Sequence, residues 1–171
     1  RRRFELTGTG LAACDQGPQL LWMKQHLPEL LKQSKTVFHC KDWLYFNLTG
    51  VRATDPSESV FSCGDFRKRD FSDEVMELLG LTDQKALFPE VVDGTKNSHP
   101  LSDHVAKLCG LPSGIPVVLG YVDVICTALG SGLYDPGYQT GCTIIGSTGM
   151  HMRYVDSVDE IKLNQESTGY T

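Results

Sequence analysis

Between Ile115 and Gly149 the chain reads IPVVLGYVDVICTALGSGLYDPGYQTGCTIIGSTG, and this run constrains the fold more than any other. Pro116 to Gly120 has the branched and leucine side chains of a short buried strand. Asp123 follows, then a helix of small residues over 124–131, a turn at Asp135-Pro136-Gly137, and a branched strand over 142–145 that enters the polar loop Gly146 to Gly149. The run leaves one carboxylate and one glycine loop for chemistry.

The totals bound the rest. A chain of 171 residues with 40% hydrophobic content can close a core as one ordinary domain. No apolar stretch approaches the ~20 residues that span a bilayer. Arg1-Arg2-Arg3-Phe4-Glu5 lacks the apolar segment of a signal peptide, so the expected location is cytoplasmic. A net charge of −5 offers no basic field for nucleic acid or an anionic membrane. The clusters Arg1 to Arg3 and Arg67-Lys68-Arg69 read as solvated surface. The 6 cysteines form no C-x-x-C pair and have no histidine at zinc-ligand spacing, which predicts small buried hydrophobes in a reducing compartment and no metal site.

The first dozen residues are turn-rich and without period. From Gln19, Leu20, Leu21, Met23, Leu27, Leu30 and Leu31 fall near one helical face, and Pro28 ends one helix and starts another. Trp22 and His26 lie at i and i+4 and read as a packing pair. Val37 to Cys40 predicts a strand, Asp42 a helix N-cap, and Thr49-Gly50 that helix's end. Thr54-Asp55-Pro56-Ser57 is a polar turn by residue type, with a substrate-facing loop as the functional reading. Ser72-Asp73-Glu74 and Ser102-Asp103-His104 each open a short helix that stops at a glycine, Gly80 and Gly110.

At the mouth of a sheet and beside a helix N-terminus, the Asp123 carboxylate is favoured in its ionised form. Such a group can take the proton of an attacking alcohol, a contribution of ~10²- to 10⁴-fold. On position alone the ordinary helix N-cap is the favoured role. Glycines at both ends of Gly146-Ser147-Thr148-Gly149 let backbone N–H groups and two hydroxyls converge on an anion, and they equally suit a hairpin turn.

Order and spacing add what the separate motifs lack. Val117-Val118-Leu119-Gly120-x-x-Asp123, then Ala128-Leu129-Gly130-Ser131-Gly132, Pro136-Gly137 and Gly146 to Gly149, resembles the FGGY carbohydrate kinases. Upstream, Cys40-Lys41-Asp42-Trp43-Leu44 is similar to that family's P-K-D-Y-L, Leu48-Thr49-Gly50 to its L-T-G, Ala53-Thr54-Asp55-Pro56-Ser57 to its A-T-D-x-S, and Phe71-Ser72-Asp73-Glu74 to its W-S-D-E. The resemblance implies a partial α/β fold of the ribonuclease H-like (actin-like ATPase/sugar kinase) type. It implies Asp123 as the base, Gly146, Ser147, Thr148 and Gly149 against ATP phosphates with Mg²⁺, and Thr54, Asp55, Ser57 and Val124 near a sugar or polyol. The Tyr121-Val122-Asp123-Val124 version is similar to the erythritol and related polyol kinase branch.

Three departures stand against the resemblance: Val124 where the family has Asn or Gln, Gln19 where it has Lys before an apolar-x-Trp, and Ser147-Thr148 where Thr-Ser is usual. Val124 and the missing phosphate and adenosine loops keep a second function open. A non-catalytic, ligand-binding or regulatory relative is therefore the alternative. No D-x-G-T phosphate loop is present, so the expected organisation is an internal piece, inactive alone. Residues 1–138 would close the first domain and 139–171 begin the second. A sheet edge left unpaired by this division would favour association, and a homodimer is the expected partner state.

Overall fold

The computed structural model describes residues 1–135, 141–147 and 149–161. The chain starts in a helix, α1 (Arg2–Thr7), where the sequence predicts irregular turns. Six residues do not hold a helix by themselves. Leu6 is buried with Leu20, Leu31, Val75, Met76 and Leu81, so the tertiary core supplies the order that local periodicity lacks. The basic run beside it is less solvated than expected. Arg2 Nε donates to Glu74 at 2.5 Å, and half-buried Arg3 donates to the carbonyls of Thr9 and Gly10.

α2 (Gln16–His26) and α3 (Pro28–Gln33) divide at Leu27, with Pro28 in the first turn of α3, as the proline predicts. The Trp22 and His26 rings pack with centroids 4.8 Å apart. Residues 34–39 are extended but form no strand. The expected partner ladder is absent there, and Val37 instead donates one backbone bond to Leu87 at 2.9 Å. Helix α4 (Cys40–Thr49) begins earlier than expected, with His39 as its N-cap and Gly50 closing it at φ 78°. Asp42 acts from the first turn, accepting from the His39 N–H at 3.2 Å.

β1 (Ala53–Thr54) leads into α5 (Pro56–Cys63), capped by Asp55, whose side chain accepts from the Ser57 N–H at 2.9 Å. β2 (Gly64–Asp65) and β3 (Asp70–Phe71) form a small hairpin in which Arg69 takes a left-handed φ of 56°. Ser72 caps α6 (Asp73–Leu78), and a 3-10 turn at Thr82–Leu87 leads to β4 (Glu90–Val91). β5 (His99–Pro100), α7 (Asp103–Cys109) and β6 (Pro116–Val117) precede α8 (Asp123–Gly130). The hairpin β7 (Gly141–Ile145) and β8 (Gly149–Arg153) follows.

Among the described residues the strands pair two by two. β1 and β4 are parallel, and β2–β3, β5–β6 and β7–β8 are antiparallel. The strand expected at 116–120 is therefore shorter and less buried than its composition predicts. With β5 as its ladder partner, only Pro116 and Val117 pair; Leu119 reaches the interior and Val118 faces outward. The cysteine expectation fails in part as well. All 6 are free, Cys63 and Cys142 are buried, and the other four are exposed. Burial pushes the Cys63 thiol up to about 12. Among the described residues no helix is long and apolar enough to cross a membrane.

Three apolar clusters lie among the described residues, two ahead of α8 and one at and after it. The largest lies under α1, α2 and α6; a second joins Tyr45, Ala53 and Leu119; a third joins Ala128, Leu133 and Cys142, seating the β7–β8 hairpin on α8. The loop at Asp93 and Gly94 packs against the second cluster so closely that a Cβ on Gly94 would stand 2.0 Å from the Leu119 carbonyl oxygen. The nearest obstacle is backbone, which cannot rotate away as a side chain would. Gly94→Ala is expected to destabilise the protein by about 2 kcal/mol or more, whereas Gly130→Ala, whose Cβ meets nothing within 4 Å, is expected to change stability by under about 1 kcal/mol. Urea melts of the two variants check this.

Candidate active site

The start of α8 meets the first turn of α5, and the candidate site residues gather at that junction. The Val122 N–H, at the N-cap of α8, donates to Ser57 Oγ at 2.9 Å. Ser57 Oγ in turn donates to the Asp55 carboxylate. Thus Thr54, Asp55 and Ser57 are brought beside the segment carrying Asp123 and Val124, although Ser57 and Val122 are 65 residues apart. The sequence pattern that achieves this is local: Pro56 starts a helix, Asp55 caps it, and the first-turn serine is held facing the cap.

Asp55 is 0% exposed and so is Asp42; Lys41 bridges both. Its Nζ donates to Asp42 Oδ1 at 3.0 Å and also to Asp55 Oδ2. Burial draws the Lys41 ammonium's proton affinity down, but the two carboxylates overcome it, and the group is held above its ordinary range. Two buried acids and one cation leave a negative excess in a poorly hydrated place. That excess acts on Glu58, whose side chain is 13% exposed. Burial first, then the Asp55, Asp42 and Asp123 charges, push its carboxyl up to about 7 against the opposing pull of Lys41. His39 Nδ1 stands 3.4 Å from Glu58 Oε2, and its Nε2 lies 2.8 Å from Ser62 Oγ. Burial lowers the His39 pKa, so near neutrality this is a contact of an uncharged imidazole rather than a full ion pair.

Asp123 is the first residue of α8 and is exposed. It is not the N-cap; that place belongs to Val122, and no side chain caps the helix. Its Oδ1 accepts from the Val124 N–H at 2.8 Å, which orients the carboxylate while leaving its outer face to solvent. Val124 is half-buried. On the other side of Val122, the Tyr121 hydroxyl donates to Asp93 Oδ1 at 2.7 Å and accepts from Arg69 Nη2 at 3.1 Å. Burial alone would raise the Asp93 carboxyl, yet bonds from Thr95 and Tyr121 hold it well below the usual carboxylate range.

Gly146 and Ser147 lie in the exposed turn joining β7 to β8, and Gly149 is the first residue of β8, paired with Ile145. Thr148 lies outside the described residues, as does the predicted turn at Pro136-Gly137. A Cβ on Gly149 would meet nothing within 4 Å, so the turn has an open face. Among the described residues, no three His, Cys, Asp or Glu side chains gather as a metal site. A cleft of about 490 Å³, lined by Phe71, Ser72, Lys85, Phe88 and Glu90 among others, opens elsewhere, beside β3 and β4. Residue types alone do not single out Glu58, His39 or Asp93; Lys41 and Tyr121 stand in motifs without a role of their own, Arg69 in a cluster read as solvated surface, and Lys41 lies 14 residues from the Asp55 it contacts.

Solved structures place the fold in a class. Xylulose kinases from Brucella ovis and Rhodospirillum rubrum superpose with TM-scores of 0.76 and 0.75, at 25% and 24% identity. These matches cover 88% and 86% of this chain and 30% of each structure. The chain thus has the ribonuclease H-like, actin-like fold of the sugar kinases. Residues 1–130 match the N-terminal domain of the FGGY family of carbohydrate kinases, and the chain belongs to that family. It is 54% identical over 170 residues to the erythritol kinase of Brucella abortus (strain 2308), covering 99% of this chain and 32% of that protein. It is 36% identical over 146 residues to the autoinducer-2 kinase of Escherichia coli (strain SMS-3-5 / SECEC), covering 85% of this chain and 26% of that protein. The chain thus spans about a third or less of the length of these relatives.

The Glu58 carboxyl gives a signed pH dependence. A carboxyl whose folded pKa lies above its unfolded value of 4.5 binds its proton more tightly in the native state. Its stabilising contribution is full below pH 4.5 and is lost as pH rises through about 7. Glu58→Gln, which mimics the protonated acid, is expected to match the wild type near pH 5 and to exceed its stability at pH 8.5 by on the order of 2 kcal/mol. Urea titrations of both proteins at the two pH values measure the difference.

Proposed function

We propose that this chain is the acceptor-side part of an ATP-dependent carbohydrate kinase that transfers the γ-phosphate of ATP to a hydroxyl of a sugar or polyol, with Asp123 as the general base. The carrying observation is the placement of Asp123: exposed, on the first residue of a helix, and anchored through Val122 to a buried Lys41–Asp55–Ser57 network. The likeness to an erythritol kinase over nearly the whole chain supports a small polyol as acceptor.

In this reading the Asp123 carboxylate accepts the hydroxyl proton as that oxygen bonds to phosphorus. The helix N-terminus stabilises the carboxylate before transfer, and Val124 N–H holds its inner oxygen so that the outer one faces the acceptor. Thr54, Asp55 and Ser57 fix the floor beneath it, and Val124, which follows Asp123 on α8, contacts the acceptor. Gly146 to Gly149 hold the ATP phosphates through the backbone of an open turn. ATP with Mg²⁺ supplies the phosphoryl group and neutralises charge that builds on it. The metal would arrive on the nucleotide, consistent with a carboxylate set near Asp123 that is spent on Lys41. Residues 1–138 belong to the first domain and 139–171 to the second, and the full protein is cytoplasmic and works as a homodimer or monomer on these two substrates.

A non-catalytic relative that binds ligand without transfer is the second reading, favoured by Val124. The two separate in the full-length protein assayed with ATP and erythritol. Asp123→Asn is expected to lower kcat by at least about 100-fold with a small change in KM. A kcat within a few-fold of wild type removes Asp123 from the role of base. Binding by calorimetry without any turnover in the wild type selects the second reading.

A further inference from the structure

The segment Leu119 to Asp123 has little regular structure of its own. β6 ends at Val117 and α8 begins at Asp123; between them α8 meets only carbonyls, that of Val122 through the Ile125 and Cys126 N–H groups and that of Tyr121 through Cys126 Sγ. Side chains from three other elements add to these. Ser57, on α5, accepts from the Val122 N–H at 2.9 Å. Asp93, in the loop after β4, accepts from the Tyr121 hydroxyl at 2.7 Å. Arg69, on the β2–β3 hairpin, donates to the same hydroxyl at 3.1 Å, with its guanidinium 5.8 Å from the ring centroid. Asp93 is itself fixed, because its Oδ1 also accepts from the Thr95 N–H at 3.0 Å and from Thr95 Oγ1 at 2.7 Å. The adjacent Gly94 lies against the Leu119 carbonyl with no room for a methyl group.

Arg69 adopts a left-handed backbone in the turn of the β2–β3 hairpin, where its N–H donates to the Asp65 carbonyl at 2.9 Å, and it is the one described non-glycine residue with positive φ. Such a conformation at a residue with a long side chain is uncommon and is kept where the surroundings determine it. Tyr121 therefore sits in a fork between a cation and an anion that arrive from separate parts of the chain. The residue that follows the next peptide unit is Asp123.

We propose that Arg69, Tyr121 and Asp93 form a bolt whose function is to position Asp123: the Tyr121 hydroxyl fixes the backbone two residues ahead of the carboxylate and sets the angle at which that carboxylate meets the acceptor hydroxyl. These are positioning residues, since none needs to touch substrate. A displacement of about 1 Å at a reacting group costs up to 100-fold in rate, so loss of one tether out of several is expected to act chiefly on the chemical step.

The inference rests on the reading of Asp123 as base, and the test separates the two. Tyr121→Phe in the full-length protein keeps the ring and removes the bolt. Asp93→Asn, nearly isosteric, is the second variant and stands in if the first folds poorly. Each is expected to lower kcat with ATP and erythritol by about 10-fold, to leave both KM values within 2-fold and Tm within about 3 °C, and to raise amide exchange over 119–124 several-fold. In an Asp123→Asn background Tyr121→Phe is expected to add nothing to the loss in kcat. Wild-type kcat and exchange in both variants overturn the bolt, and so does a kcat loss that persists undiminished in the Asp123→Asn background. A rise in KM or a large fall in Tm that accounts for the rate loss also overturns it, since that is a structural or binding role. If Asp123→Asn alone retains near-wild-type kcat, the base assignment fails, while the exchange data still report whether the bolt holds the segment.

Discussion

The buried contact of Lys41 with Asp55 and Asp42 is the constraint on which the site depends. Two carboxylates with no solvent exposure are tolerable because one ammonium serves both and the remaining lone pairs meet the N–H groups of His39 and Ser57. Such an arrangement adds little net stability over apolar packing, but taking away one partner strands a charge in the interior at a cost of roughly 3–5 kcal/mol. It therefore specifies geometry more than it strengthens the fold. The start of α4, the end of β1 and the first turn of α5 have one mutual placement in which all these groups are satisfied.

From that junction the order passes outward to Asp123. Ser57 transmits it to Val122, and the charge of the same acids is felt at Glu58 and returned from Asp123. Electrostatics and hydrogen bonding thus serve different ends here. The hydrogen bonds set where the carboxylate stands, and burial, with the neighbouring negative charges added to it, raises the Glu58 carboxyl. Glu58, nearly buried and lacking a cation of its own, is the group that yields. Asp123, at a helix N-terminus and open to water, is left as the exposed acid of the group.

Much of this was legible in the residues, and the parts that were not share a cause. The split at Pro28, the serine-led helices and the glycine stops follow from local backbone preferences and stand where the sequence put them. Asp123 and the Thr54 to Ser57 group are singled out by ordered motifs, and the bond from Val122 to Ser57 joins their two segments. The strand expected at 37–40 was not formed, because a strand needs a neighbour and Val37 finds only one carbonyl, that of Leu87. α1 escaped notice for the converse reason: its order comes from Leu6 in a distant core. The Arg69–Tyr121–Asp93 contact joins positions 52 and 28 residues apart, and no periodicity carries that information. Asp42 shows an intermediate case, a capping residue recognised by type but assigned to the wrong turn of its helix.

The tether from Ser57 to Val122 closes a loop of 65 residues, and its serine end is held by Asp55, which Lys41 also contacts. Closing a loop of that length is an entropic cost met before any of its contacts form, and topologies rich in such closures fold slowly. During synthesis Ser57, Arg69 and Asp93 all leave the ribosome before Tyr121 and Val122, so the holders of this segment are outside when it emerges. A chain halted before Val122 carries Lys41, Asp42, Asp55 and Ser57 without the segment that Ser57 holds.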